Sequence, residues 1–263
     1  MGIKLIAEIG SVHNGSYKKA IKLIELAKSV GADIVKFQMH IAEEETLKNA
    51  PNPSYFKKES RFNYFKRIEF SVNEWIKLYK FSKKKKIKFM VSPFSIKAID
   101  ILEKTGCDYY KIASGEVTNL QLLKKIIKTK KKIFLSSGMS NWKELDQAVN
   151  ILKKGKDLVI MQCTSLYPCS HKKVGLNIIN QMLKKYKFDI GFSDHTTEIT
   201  AAISAATIGA KFIEKHLTIS RRMYGSDAKN SMEPKEFKEL AKNLKNVDEM
   251  ISFPLNKNNL SDF

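Results

Sequence analysis

The chain has 263 residues, 43% of them hydrophobic, with 15 Phe and 9 Tyr, enough to fill a large core and to exclude global disorder. No run of 18 apolar residues occurs, the first residues (MGIKLIAEIG) run straight into a strand-like stretch, and Cys107, Cys163 and Cys169 form no CxxC pair. Those features exclude a membrane-spanning helix, a disulfide framework and a cysteine zinc site, and they lead us to expect a cytoplasmic protein without a secretory leader. The formal charge is +20, yet only four of the 47 basic residues are arginine, the side chain best suited to bidentate base readout. The lysines cluster on polar faces of predicted helices, so neither a nucleic-acid nor a membrane partner is expected.

Eight strand-like runs follow one another along the chain, at 3–9, 33–39, 87–92, 108–113, 132–137, 158–163, 189–194 and 211–216. They are rich in Ile, Val, Phe and Leu and often continuously apolar, as parallel strands buried on both faces are. Helical segments lie between them. In 17–30, Ala20, Leu23, Ile24 and Ala27 make one apolar stripe, and Gly31 stands where a helix stops. Segments near 72–85, 95–105, 119–129, 142–154, 175–186 and 197–208 repeat the pattern, and a closing helix opens at Pro234 and runs to about Ile251. No GxGxxG follows the first strand. Eight βα units in this length predict an α/β fold of the closed (β/α)8 TIM-barrel type over residues 1–251, with 252–263 beginning a linker or tail. Residues 40–70 form one long connection, expected to cover the barrel mouth or an interface.

Catalytic groups of such barrels stand at the C-terminal ends of the strands. Here those ends carry Glu8, Lys36 with Gln38, Ser92, Lys111 followed by Ser114 and Glu116, Ser136, Thr164 with Ser165, Ser193 with Asp194 and His195, and Glu214 with His216. Residues two apart on a strand point the same way, so Lys36 and Gln38 share a side, as do Glu214 and His216. A lysine inside an apolar strand needs an anion. Lys36 and Lys111 therefore either pair with barrel glutamates or, with the hydroxyls, make a phosphate or carboxylate pocket. His195 and His216 end neighbouring strands and, near carboxylates, form a candidate divalent-metal site. His13 lies in the first loop with no role decided, His40 and His171 read as loop residues, and Cys163 reads as a small core residue.

The motifs 7-AEIG-10 with 13-HNG-15, 31-GADIVKFQ-38, 92-SPF-94, 111-KIASGEVTN-119, 135-LSSGM-139, 163-CTSLYP-168, 191-GFSDHT-196, 214-EKH-216 and 225-GSD-227 stand in that order. Over about residues 3–237 the chain resembles the sialic acid synthase family, which joins phosphoenolpyruvate to an N-acylated mannose-type amino sugar. The resemblance implies phosphoenolpyruvate contacts at Lys36, Ser92, Lys111, Ser136 and Ser193, metal ligands at His195 and His216 for manganese or magnesium, and a catalytic Glu8. It implies sugar contacts at Gln38, Glu116, Tyr167 and Asp227, with Asp227 also catalytic, and a homodimer among the assemblies it allows. Two positions depart from the family pattern. Val12 stands where the family usually has Asn. Family members also carry a C-terminal antifreeze-like domain that supplies an arginine to a partner's sugar site, and this sequence ends at Phe263, about where the linker would begin. The alternatives are a 3-deoxy-ulosonate phosphate synthase, for which no acceptor-phosphate site is evident, and a catalytically weak sugar-binding barrel.

Overall fold

The structure, a computed structural model, describes residues 2–52, 59–155, 157–224 and 227–259. Its strands are β1 (Lys4–Gly10), β2 (Ile34–Met39), β3 (Lys88–Pro93), β4 (Tyr109–Ile112), β5 (Lys132–Ser136), β6 (Leu158–Cys163), β7 (Asp189–Asp194) and β8 (Phe212–His216). Consecutive strands pair in parallel and β8 pairs with β1, closing the barrel. The helices are α1 (Tyr17–Ser29), α2 (Ala42–Glu45), α3 (Arg61–Ile68), α4 (Val72–Lys84), α5 (Ile96–Thr105), α6 (Leu120–Ile126), α7 (Trp142–Leu152), α8 (Leu176–Lys185), α9 (Thr200–Thr207) and α10 (Pro234–Ser252). This is the (β/α)8 barrel the strand count predicts. Among the described residues no helix is long and apolar enough to cross a membrane.

Local chemistry starts and stops these helices. Ser16 caps α1 by accepting from the Lys19 amide, Ala20, Leu23, Ile24 and Ala27 are buried, and Gly31 takes φ +93°, the left-handed conformation a C′ position needs. Ser71 and Glu74 form a reciprocal capping box at α4, and Pro234 opens α10, whose Phe237, Leu240 and Leu244 are buried.

Alternation along the strands divides the core in two. Ile6, Ile34, Met90, Phe134, Val159, Met161 and Phe212 point inward and plug the barrel, with Phe134 and Phe212 edge to face at 5.0 Å. The intervening residues, such as Ala7, Val35, Phe37, Val91 and Ile213, point outward into the larger core beneath the helices. Burying each large side chain of this kind contributes roughly 1.5–3 kcal/mol.

The long 40–70 connection is not the featureless loop of the sequence reading. It contains α2 and α3, too short for a periodicity argument, and they are fixed by side chains. Glu69 Oε1 accepts from the Ala42 amide at 2.8 Å, and Ser60 caps α3. It does reach the mouth: the Tyr64 hydroxyl donates to Ser11 Oγ, beyond the end of β1, at 2.7 Å. Residues 53–58 of this connection lie outside the described residues, as do 260–263 of the tail; residues 253–259 are exposed.

One ion pair ties the outer sides of β7 and β8. Lys215 Nζ donates to Asp194 Oδ2 at 2.7 Å and to the Thr196 carbonyl at 2.6 Å, and both charged side chains are buried. Removing one partner of such a pair leaves an uncompensated buried charge. Lys215→Met is therefore expected to lower unfolding stability by about 3–5 kcal/mol in urea titrations; a stability equal to wild type would contradict this role.

Candidate active site

Two residues above the apolar plug, six of the strands turn polar on the same inner side. Ile6 is followed by Glu8, Ile34 by Lys36 and then Gln38, Met90 by Ser92, Tyr109 by Lys111, Phe134 by Ser136, and Phe212 by Glu214 and then His216. Strand register puts Glu8 level with both Lys36 and His216, Gln38 level with Ser92, and Ser193 level with Glu214.

Four of these residues form a chain of alternating charge. Glu8 Oε2 lies 3.1 Å from Lys36 Nζ, which lies 3.4 Å from Glu214 Oε1. Glu214 accepts both bonds of Lys111 Nζ, at 2.9 and 2.7 Å, and a third from Ser193 Oγ at 3.0 Å. Lys36 Nζ also stands 3.5 Å from Ser92 Oγ. All four ionic side chains are at least 94% buried. Each charge alone would cost several kcal/mol to bury, so two lysines require two carboxylates. Of the two readings the sequence left open for the lysines, the structure shows glutamate pairing.

The two glutamates differ in environment. Burial pushes the Glu8 carboxyl above the ordinary range, the Glu214 charge pushes it further, and Lys36 only partly offsets both. Burial acts on Glu214 too, but Lys111 and Lys36 outweigh it and hold that carboxyl well below the usual range. Of the two, Glu8 is the more readily protonated and Glu214 the more firmly held as an anion. Glu8 Oε1 accepts from Gln38 Nε2 at 2.6 Å, while Oε2, ion-paired with Lys36, has no hydrogen-bond partner among the described residues. Burial and Lys36 push Lys111 down, whereas Glu214 and Glu8 raise Lys36 against its burial.

The two histidines flank this chain at the mouth, their ring centroids 5.8 Å apart. His195 Nδ1 is anchored on the Thr164 carbonyl at 2.8 Å, which turns Nε2 inward, where the Tyr167 hydroxyl meets it at 2.9 Å. Among the described residues His216 Nδ1 is buried without a partner, and burial, the largest cause, holds its pKa at about 4, so it is a neutral imidazole. Two imidazoles, one with an unsatisfied buried nitrogen, fit a divalent metal as far as they go. Among the described residues no three His, Cys, Asp or Glu side chains are grouped to hold one, so these two imidazoles are joined by no third such ligand there.

Asp227 reaches the same mouth from the loop after β8. Its Oδ2 accepts from the Ser11 amide and hydroxyl, both at 2.8 Å. This approach requires Gly10: its φ is +51°, and a methyl group there would overlap the Asp227 carboxylate. Gly225 and Ser226 of the GSD motif lie outside the described residues. Glu116 stands apart, half-buried in the turn after β4, bonded to Asn119 Nδ2 at 2.8 Å and raised by burial. Ser136 ends β5 on the inner side, also buried.

One expectation changes, and two others gain detail. His40 is no ordinary loop residue: it is buried, and its Nε2 lies 3.0 Å from Gln38 Oε1. Its signal was the i, i+2 series Lys36–Gln38–His40. His13 caps its own loop, accepting from the Gly15 amide at 3.1 Å, and burial lowers its pKa to about 4. Cys163 is buried as expected, but among polar groups, with Ser114 Oγ at 3.6 Å and His195 Nδ1 at 3.9 Å. Ser11, Tyr64 and Glu45 join the site from loops and α2–α3, with no sequence signal to mark them.

A barrel with this buried, charged mouth is an enzyme scaffold. The model of the NeuB family matches residues 23–254. The chain is 36% identical to the N,N'-diacetyllegionaminic acid synthase of Campylobacter jejuni, over 98% of this chain and 80% of that protein. It is 32% identical to the human N-acetylneuraminate-9-phosphate synthase, over 95% of this chain and 71% of that protein. The crystal structure of a sialic acid synthetase from Leptospira borgpetersenii, in complex with citrate, superposes with a TM-score of 0.89 at 30% identity, over all of this chain and 89% of that one. The chain belongs to the NeuB family.

Proposed function

We propose that this protein condenses phosphoenolpyruvate with an N-acylated mannose-type amino sugar to give a nonulosonic acid and phosphate. The observation that carries the reading is the buried chain Glu8–Lys36–Glu214–Lys111 at the mouth of a NeuB-family barrel. The names of its relatives, synthases of legionaminic acid and of N-acetylneuraminate 9-phosphate, support it. Three unpaired cysteines accord with a cytoplasmic site of action.

In this reading Lys36 and Lys111, with Ser92, Ser136 and Ser193, turn part of their hydrogen bonding from the glutamates to the phosphate and carboxylate of phosphoenolpyruvate. Gln38, Glu116, Tyr167 and Asp227 line the sugar. The C3 carbon of phosphoenolpyruvate attacks the aldehyde carbon of the open-chain sugar, and positive charge develops at C2. Glu8, with its raised pKa and open Oε2, takes a proton from the water that adds there, and one proton reaches the former aldehyde oxygen. The new C2 hydroxyl then gives up its proton as the C–O bond to phosphate breaks. Glu214 remains ionised, keeps both lysines charged and offsets the developing cation. His195 and His216 are the residues that would hold manganese or magnesium, which when bound polarises the aldehyde oxygen.

Release of phosphate from phosphoenolpyruvate, measured against a panel of acceptors, tests the activity. Release that depends on an N-acylated mannose-type sugar is expected; release with phosphorylated aldoses alone would overturn the reading in favour of a 3-deoxy-ulosonate phosphate synthase. For the metal, calorimetric titration with manganese is expected to show binding that His195→Ala and His216→Ala each weaken by about tenfold or more, the range for losing a ligand or its support. Equal affinity in wild type and both variants would refute the ligand assignment.

A further inference from the structure

Gln38 is one side of a longer buried relay of hydrogen bonds. Its amide is divided between two partners: Nε2 donates to Glu8 Oε1 at 2.6 Å, and Oε1 faces His40 Nε2 at 3.0 Å. The other ring nitrogen of His40 lies 2.8 Å from Glu45 Oε2, and Glu45 Oε1 is itself fixed by the Ile41 amide at 2.6 Å. Both ring nitrogens thus face oxygen atoms, and the one facing Gln38 donates to its carboxamide oxygen. Its plane is set as well. Phe65 of α3 and Phe94 after β3 stack on opposite faces, each centroid 4.2 Å away, with interplanar angles of 13° and 16°. Nothing in the reaction proposed above uses His40 or Glu45, yet a clamp held by a carboxylate, two rings and a backbone amide ends on the glutamate that accepts the proton.

The amide of glutamine can face either way, and the two ways differ for Glu8. With its NH2 group inward, it donates to the carboxylate. Reversed, it would set an oxygen against an oxygen, and Glu8 would lose its strongest hydrogen bond. We infer that His40, anchored by Glu45 and clamped between Phe65 and Phe94, is a positioning residue that fixes the Gln38 amide with its NH2 group on Glu8. This rests on the reading of Glu8 and Gln38 as site residues. It also gives α2 and α3 a function: they carry Glu45 and Phe65 to the mouth, so the long second loop builds the site rather than merely covering it.

His40→Phe separates packing from hydrogen bonding, because a phenyl ring preserves the stack and removes both ring nitrogens. Two readouts test the inference. In protein labelled with 15N-glutamine, the Gln38 side-chain amide signal, assigned with Gln38→Ala, is expected to exchange with solvent slowly in wild type and about tenfold or more faster in His40→Phe. Unchanged exchange overturns the inference whatever the enzyme's substrates prove to be. In the phosphate-release assay, His40→Phe is expected to lower kcat about tenfold with the KM for phosphoenolpyruvate within about twofold, and the Gln38→Ala/His40→Phe double variant to be no slower than Gln38→Ala. Penalties that multiply, or a His40→Phe enzyme with wild-type kinetics, overturn it. The wild-type rate tests the proposed reaction, while ratios among the variants test His40. Should His40→Phe not fold, Glu45→Gln keeps the ring and its stack but weakens its anchor. A severalfold loss of kcat, absent in the Gln38→Ala background, is expected, and unchanged exchange and kinetics again overturn the inference.

Discussion

Burial of four alternating charges inside a closed barrel is the constraint on which the rest of this molecule turns. The inner side of a parallel barrel is dry where side chains fill it, and here the plug of Phe134, Phe212, Met161 and their neighbours fills the lower part. Charges directly above such a plug cannot be hydrated from below. Their neutrality has to be internal, and the chain Glu8–Lys36–Glu214–Lys111 achieves it with two positive and two negative groups from four strands. Register does the placing: a slip of one residue in β2 would turn Lys36 and Gln38 outward beneath the helices and send Val35 and Phe37 inward.

Neutrality does not make the four groups equivalent. Glu214 takes three hydrogen bonds and is locked as an anion, whereas Glu8 sits at the end of the chain with one oxygen bound to Gln38 and the other without a hydrogen bond. The same barrel layer therefore holds one carboxyl that protonates readily and one held as an anion, a division set by the number and charge of neighbours. Outward residues serve the same layer from behind. The Lys215–Asp194 pair joins β8 to β7 one residue before His216 and His195, so an ion pair beneath the helices fixes the strand ends that present the two imidazoles.

The sequence makes most of this arrangement legible because strand period and strand count are local properties. Apolar runs mark the eight strands within about two residues of where they lie, and the i, i+2 rule puts Lys36 with Gln38 and Glu214 with His216 on the inner side. Partner choice is not local. That Lys111 meets Glu214 across the barrel, 103 residues away, depends on closure, which periodicity does not encode. The same holds for Asp227 on Ser11, across 216 residues, and for Tyr64 on Ser11. His40 was passed over for another reason. It continues the inner series of Lys36 and Gln38 one residue past the end of β2, but its partners Glu45 and Phe65 come from short helices inside a segment that reads as a loop.

In the proposed reaction the buried charges are kept for binding an anion and not for stability. Replacing the Lys111–Glu214 pair together, as Lys111→Met/Glu214→Leu, separates the two, since the remaining Lys36 and Glu8 still balance one another. Exchange of a buried ion pair for apolar side chains of similar volume is often neutral or stabilising by about 1–4 kcal/mol. Loss of charge-assisted contacts to phosphoenolpyruvate should cost about 1.5–3 kcal/mol, or roughly 10- to 150-fold in affinity. Calorimetric titration of the double variant with phosphoenolpyruvate, beside its urea unfolding curve, is the most direct measurement. Undiminished stability with affinity lowered by that factor is expected; a variant that binds phosphoenolpyruvate as tightly as wild type would rule out the anion-binding role.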